Sequence, residues 1–133
     1  MTAMPRTYRD PASNLDPASI SPERAGSLAG LLQARAAASP DKVAYRCFDS
    51  QTESWKTYTW SQVAAEVTRW RAALAKEGLA AGDRVAVMLR NGVEWIVFDV
   101  AALGLGLVVV PLYLDDRPDS ASYIIGHAGV KLL

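Results

Sequence analysis

GLAAGDRVAVMLRNGVEWIVFDVAALGLGLVVVPL, Gly78 to Leu112, reads as strand, helix, strand. Arg84-Val-Ala-Val-Met-Leu89 is a short apolar, β-branched run behind a Gly82-Asp83 turn, the pattern of a buried strand. Asn91 is placed to open a helix, with Glu94 three residues on completing a capping box. Trp95 to Leu103 is apolar nearly all round, so that helix should be covered by other structure. Gly104 supplies a stop. Leu107-Val-Val-Val110 predicts a second buried strand, ended by Pro111, which cannot donate to a ladder. Two buried strands joined by a helix form a βαβ unit, parallel and with a right-handed crossover.

A rival reading of the same stretch is a membrane anchor. Trp95 to Leu114 is long enough to span a bilayer and carries only one charge, Asp99. Against it stand that charge, Gly104 and Gly106, and a Val-Val-Val-Pro run that prefers strand. No Lys/Arg cluster flanks either end. The expectation is no membrane span, with peripheral membrane contact left open.

Upstream, residues 1–26 carry four prolines and no apolar period, which predicts an irregular or disordered arm. Ser27 can cap a helix from Leu28 to about Ala38, with Leu28, Leu31, Leu32 and Arg35 at helical spacing. Lys42 to Phe48 alternates as a strand, Asp49 to Ser54 is a polar turn, and Trp55 to Tyr58 returns as a hairpin partner. Thr59 and Gln62 form a capping box before a helix whose inner face is Val63, Val67, Trp70 and Leu74. Gly78 should end it as a left-handed C-cap.

Downstream, a polar loop through Asp115, Asp116 and Asp119 leads to a short helix over residues 120–127, stopped by Gly129. Val130 to Leu133 begins another strand, so the fold looks truncated. The fold class is therefore α/β: a βαβαβ unit of parallel strands with crossover helices, plus an N-terminal β-hairpin. Residues 27–133 form one incomplete subdomain.

The 133 residues carry 14 basic and 14 acidic side chains, which argues against a nucleic-acid binder. The single cysteine, Cys47, cannot form an internal disulfide, and no secretory signal is visible; a cytoplasmic location fits. Phosphate-loop and nucleophile-elbow motifs are missing, and Gly104-Leu-Gly106 follows a helix, whereas the dinucleotide motif follows a strand. With one His and one Cys, the usual zinc spacings cannot be assembled. His127 suits a helix C-terminus, where the dipole favours a cation. Cys47 reads as a small buried side chain. Asp99 sits either at the exposed edge of its helix or buried and paired. Asp115, Asp116 and Asp119 read as a solvated loop and helix start more readily than as metal ligands. Trp55, Trp60, Trp70 and Trp95 read as core or core-edge residues. No residue is assigned a catalytic, cofactor-binding or metal-binding role.

Taken in order, Thr57-Tyr-Thr-Trp60, Gly82-Asp83-Arg84-Val85, Asn91 with Glu94, Val109-Val-Pro-Leu-Tyr113 and Gly129-Val-Lys-Leu resemble one family. Residues 28–133 are similar to the N-terminal portion of the adenylate-forming (AMP-binding) acyl-CoA synthetases, most like the long-chain fatty acid CoA ligases. The resemblance implies a ligase that activates a carboxylic acid with ATP as an acyl-adenylate, then transfers the acyl group to coenzyme A. It implies ATP, magnesium and coenzyme A as cofactors of the full-length enzyme. The family's phosphate loop, adenine- and ribose-binding motifs and catalytic lysine lie downstream of the matching segment, so this chain by itself should be inactive. The alternative class is a non-catalytic α/β module that binds a partner through its incomplete sheet.

Overall fold

The computed structural model describes residues 19–133. The expectation of an irregular arm therefore lies outside the described residues for positions 1–18. At positions 22–25 it needs correction: Pro22–Ala25 is one helical turn, α1, because the Ser21 hydroxyl accepts from Arg24 N–H and Pro22 presets the first helical position.

Helix α2, Leu28–Ala38, starts where expected, with the Ser27 side chain accepting from Gly30 N–H at 3.0 Å. Strands β1 (Val43–Asp49) and β2 (Ser54–Thr59) form an antiparallel hairpin of their own. Helix α3, Trp60–Leu74, opens with the full capping box: Thr59 Oγ1 accepts from Gln62 N–H and Gln62 Oε1 accepts from Thr59 N–H. The α-helix stops at Leu74, short of Gly78. Ala73 and Leu74 carbonyls accept from Lys76 and Glu77, tightening the chain into turns, and Gly78 takes its positive φ only afterwards.

The second sheet has strand order β4-β3-β5, all parallel, from β3 (Arg84–Val87), β4 (Val108–Pro111) and β5 (Val130–Leu132). Helices α4 (Val93–Leu103) and α5 (Pro118–Ala128) connect them. The expected β-α-β-α-β order thus holds, with one correction. Among the described residues only β3 is paired on both sides; β4 lies at an edge, and Val108 is 47 % exposed. An apolar run of this length does not say which strand takes the middle of the sheet.

Three further corrections concern α4. Gly92, not Asn91, is the N-cap, and no side chain caps it. Burying Val93 and Val97 in the core sets the first helical residue at Val93, which leaves Asn91 one residue too early to reach the first-turn N–H groups. Cover is also one-sided. Val93, Val97, Phe98, Ala101 and Ala102 are buried, while Trp95, Ile96, Asp99, Val100 and Leu103 are only half-buried. The stop is split as well: Gly104 stays right-handed and Gly106 (φ 72°) makes the reversal, its missing Cβ leaving room for Ala81.

Residues 95–114 are therefore helix, turn and strand, and no helix among the described residues is long and apolar enough to cross a membrane. The core joins the faces of α2, α3 and α4 to Val85 and Val87 of β3, with Trp70 edge-on to Phe98 at 6.0 Å between centroids. Trp60 and Trp70 pack at the core edge as expected, but Trp55 is 64 % exposed. It points out of the hairpin beside Phe48, its partner in the register, on the face away from Tyr45 and Tyr58.

Candidate functional site

Open parallel sheets place their ligand sites outside the carboxyl ends of the strands. Here β3 and β4 end side by side at Val87 and Pro111, tied by the bond from Leu112 N–H to the Val87 carbonyl. The chain leaves through Met88–Gly92 on one side and Leu112–Arg117 on the other. Between them lies an open cleft of about 610 Å³. Leu89, Trp95, Pro111, Leu112, Tyr113 and Leu114 give it an apolar lining, and Arg90, Asn91 and Asp115 supply its polar groups. Asp116 fixes one wall by accepting from Tyr113 N–H at 3.0 Å.

The opposite end of the sheet is built for rigidity. Asp83 is almost fully buried; it accepts from Ala80 N–H at 2.8 Å and pairs with Lys131 Nζ at 2.8 Å. The Lys131 ammonium, then the Ala80 N–H, hold its carboxyl below the usual carboxylate range. Arg84 donates from Nε to the Ala128 carbonyl at 2.7 Å and from a guanidinium NH₂ to the Gly129 carbonyl. These two side chains lock β3 to the α5–β5 corner. In the sequence, Gly82-Asp83-Arg84 reads as a turn into a strand and as part of the family resemblance, not as a cross-element lock. The adjacent Asp-Arg pair and the lone Lys131 were the available signal, but their partners are distant in sequence.

The residues singled out in the sequence are not brought together. His127 stacks on Tyr123 at 5.5 Å near the C-terminus of α5, and both are exposed. Cys47 is half-buried on the hairpin against the main core. Asp99 lies at the half-buried edge of α4, in a groove of about 340 Å³ shared with Leu31, Arg35, Tyr45 and Trp60. Partial burial pushes its carboxyl up. Among the described residues, no three His, Cys, Asp or Glu side chains gather closely enough to hold a metal ion.

Nor do the described residues offer a phosphate cradle. The two long helices that start near the strand ends carry Glu94 and Asp119 in their first turns, which oppose an anion there. Arg84 is committed to backbone carbonyls. ATP with magnesium does not fit the described residues.

The sequence profile described as "AMP-binding enzyme" matches residues 32–133. The chain belongs to the AMP-binding enzyme family. It is 32 % identical over 111 residues to an uncharacterized protein, Rv1549, of Mycobacterium tuberculosis, covering 84 % of this chain and 61 % of that one. It is 38 % identical over 108 residues to a 4-hydroxyphenylalkanoate adenylyltransferase of the same species, covering 71 % of this chain and 17 % of that one. Among solved structures, a Mycobacterium tuberculosis fatty acyl-CoA synthetase superposes with a TM-score of 0.72 at 30 % identity, over 82 % of this chain and 21 % of that chain. The match falls on the N-terminal part of such enzymes. The chain thus spans about three fifths of its short relative and about a fifth of the long ones.

Proposed function

We propose that this chain is the N-terminal part of an AMP-forming acyl-CoA ligase acting on a fatty acid, and that it serves as scaffold rather than as catalyst. The observation that supports this reading is the superposition of 82 % of this chain onto a fatty acyl-CoA synthetase at 30 % identity. In the reaction so assigned, a carboxylate attacks the α-phosphorus of ATP, pyrophosphate leaves, and coenzyme A sulfur then displaces AMP from the acyl-adenylate. Such chemistry needs charge-stabilising groups fixed around the transferring atoms. The described residues bring no such set together, and on this reading ATP, magnesium and coenzyme A are held by the rest of the enzyme. The cytoplasm is the location that suits these cofactors.

Acid class is tested by acid-dependent ATP–pyrophosphate exchange on the chain joined to a complete downstream region. The panel runs from acetate to palmitate and includes a 4-hydroxyphenylalkanoate. Fastest exchange with the long-chain acids supports the fatty acid reading. Preference for the aromatic acid would contradict it, while leaving the ligase class intact.

A further inference from the structure

We propose that Asn91-Gly92 is a site of spontaneous covalent modification, at which the Asn91 side chain cyclises onto the Gly92 nitrogen and opens to aspartate or isoaspartate. The chain holds two asparagines, and only Asn91 is followed by glycine; Asn14 precedes leucine. The following residue matters because ring closure brings the side-chain carbonyl carbon onto the next backbone nitrogen. Glycine has no Cβ to obstruct that approach.

The fold leaves the pair open. Asn91 and Gly92 lie in the loop between β3 and α4, and Asn91 is exposed. A capping role would have fixed the Asn91 amide against the first turn of α4, but Gly92 is the N-cap and no side chain caps it. Among the described residues, neither the Asn91 amide nor the Gly92 N–H takes part in a hydrogen bond. Nucleophile and carbonyl carbon are thus adjacent, solvated and unrestrained by a partner.

The step balances with solvent alone. A base in water removes the Gly92 N–H proton, and the nitrogen attacks Cγ of Asn91. A cyclic succinimide forms as the Cγ–Nδ2 bond breaks and ammonia leaves. Water then adds to either carbonyl carbon of the ring. Opening on one side yields aspartate; opening on the other yields isoaspartate, whose main chain runs through the side-chain carbons. Nothing is oxidised or reduced. Either product replaces the Asn91 amide by a carboxylate in the lining of the carboxyl-end cleft, which also holds Arg90 and Asp115. The charge of the cleft therefore changes as the chain ages.

The test incubates this chain in mildly alkaline buffer, both folded and unfolded in urea. Ion exchange, peptide mass mapping and methylation by an isoaspartate methyltransferase follow the products. In the folded chain an acidic species mapped to Asn91 should accumulate at a rate within about tenfold of that in the unfolded chain. Gly92→Ala should slow it by about tenfold or more. The backbone there is extended (φ −172°), which any residue adopts, and the one close contact of the added Cβ is the movable end of the Glu94 side chain. Asn91→Gln, whose side chain must close a larger ring, should slow it as well. Modification of the unfolded chain but not of the folded one would overturn the proposal. So would an acidic species mapped to Asn14 alone, or a rate indifferent to both variants.

Discussion

At the scale of single residues, the two glycines near the end of α5 predict opposite outcomes. Gly129 has φ 61° and ψ 47°, and a Cβ there would meet an Arg84 guanidinium nitrogen at 2.8 Å. Gly129→Ala should cost about 1–2 kcal/mol from the left-handed backbone, plus disturbance of the Arg84 lock. Gly126 lies within the helix with open space at its Cβ, so Gly126→Ala should stabilise by about 0.5–1 kcal/mol. Urea denaturation of the two variants reads both signs. Protons give a second pair of opposite signs. The Lys56 ammonium holds Asp49 down to about 2, and Lys131 holds Asp83 below its ordinary value. Their stabilisation is present above the unfolded carboxylate value of about 3.9 and is lost as pH falls through the folded values. Asp99 runs the other way: its raised folded value favours the protonated form, so its contribution is present at low pH and lost as pH rises through that value. Asp99→Asn should therefore raise the urea midpoint at pH 7 and leave it nearly unchanged below the unfolded value. A fall at pH 7 would show that the carboxylate has a partner.

Elements show what a sequence states and what it withholds. Helix α3 was legible from its capping box and its Val63, Val67, Leu74 face because both signals lie within one or two turns. Thr59→Ala should cost about 1 kcal/mol. Asn91→Ala should stay within about 0.5 kcal/mol, since Gly92 is the true cap. Equal losses in the two variants would restore the capping role to Asn91. Trp70→Ala should cost about 2–4 kcal/mol, below the full value for a buried aromatic, because the ring is only half-covered beside Phe98. The order β4-β3-β5 was not legible. It depends on which edge of β3 each crossover returns to, and no local pattern encodes that choice. The exposed face of β4 follows from the same non-local fact, whereas Trp55 is exposed because it lies on the hairpin face opposite Tyr45 and Tyr58.

For the molecule as a whole, the family was legible because a long series of weak signals kept its order and spacing. The cleft was not, because strand ends from two loops make it, and Leu89 and Tyr113 look like core residues in a linear reading. Among the described residues, the side chains that stood out in the sequence, His127, Cys47 and Asp99, lie on separate elements. The structure accordingly presents a rigid sheet end at Asp83, Arg84 and Lys131 and an open apolar one at Leu89, Tyr113 and Leu114. The central claim is that this chain is scaffold to an acid-activating site whose chemistry comes from elsewhere. Its most direct test is palmitate-dependent ATP–pyrophosphate exchange, measured for this chain alone and for the same chain joined to a complete downstream region. The account predicts background rates for the first and robust exchange for the second. Robust exchange by the 133-residue chain alone, or silence from a folded joined protein with every acid, would contradict it.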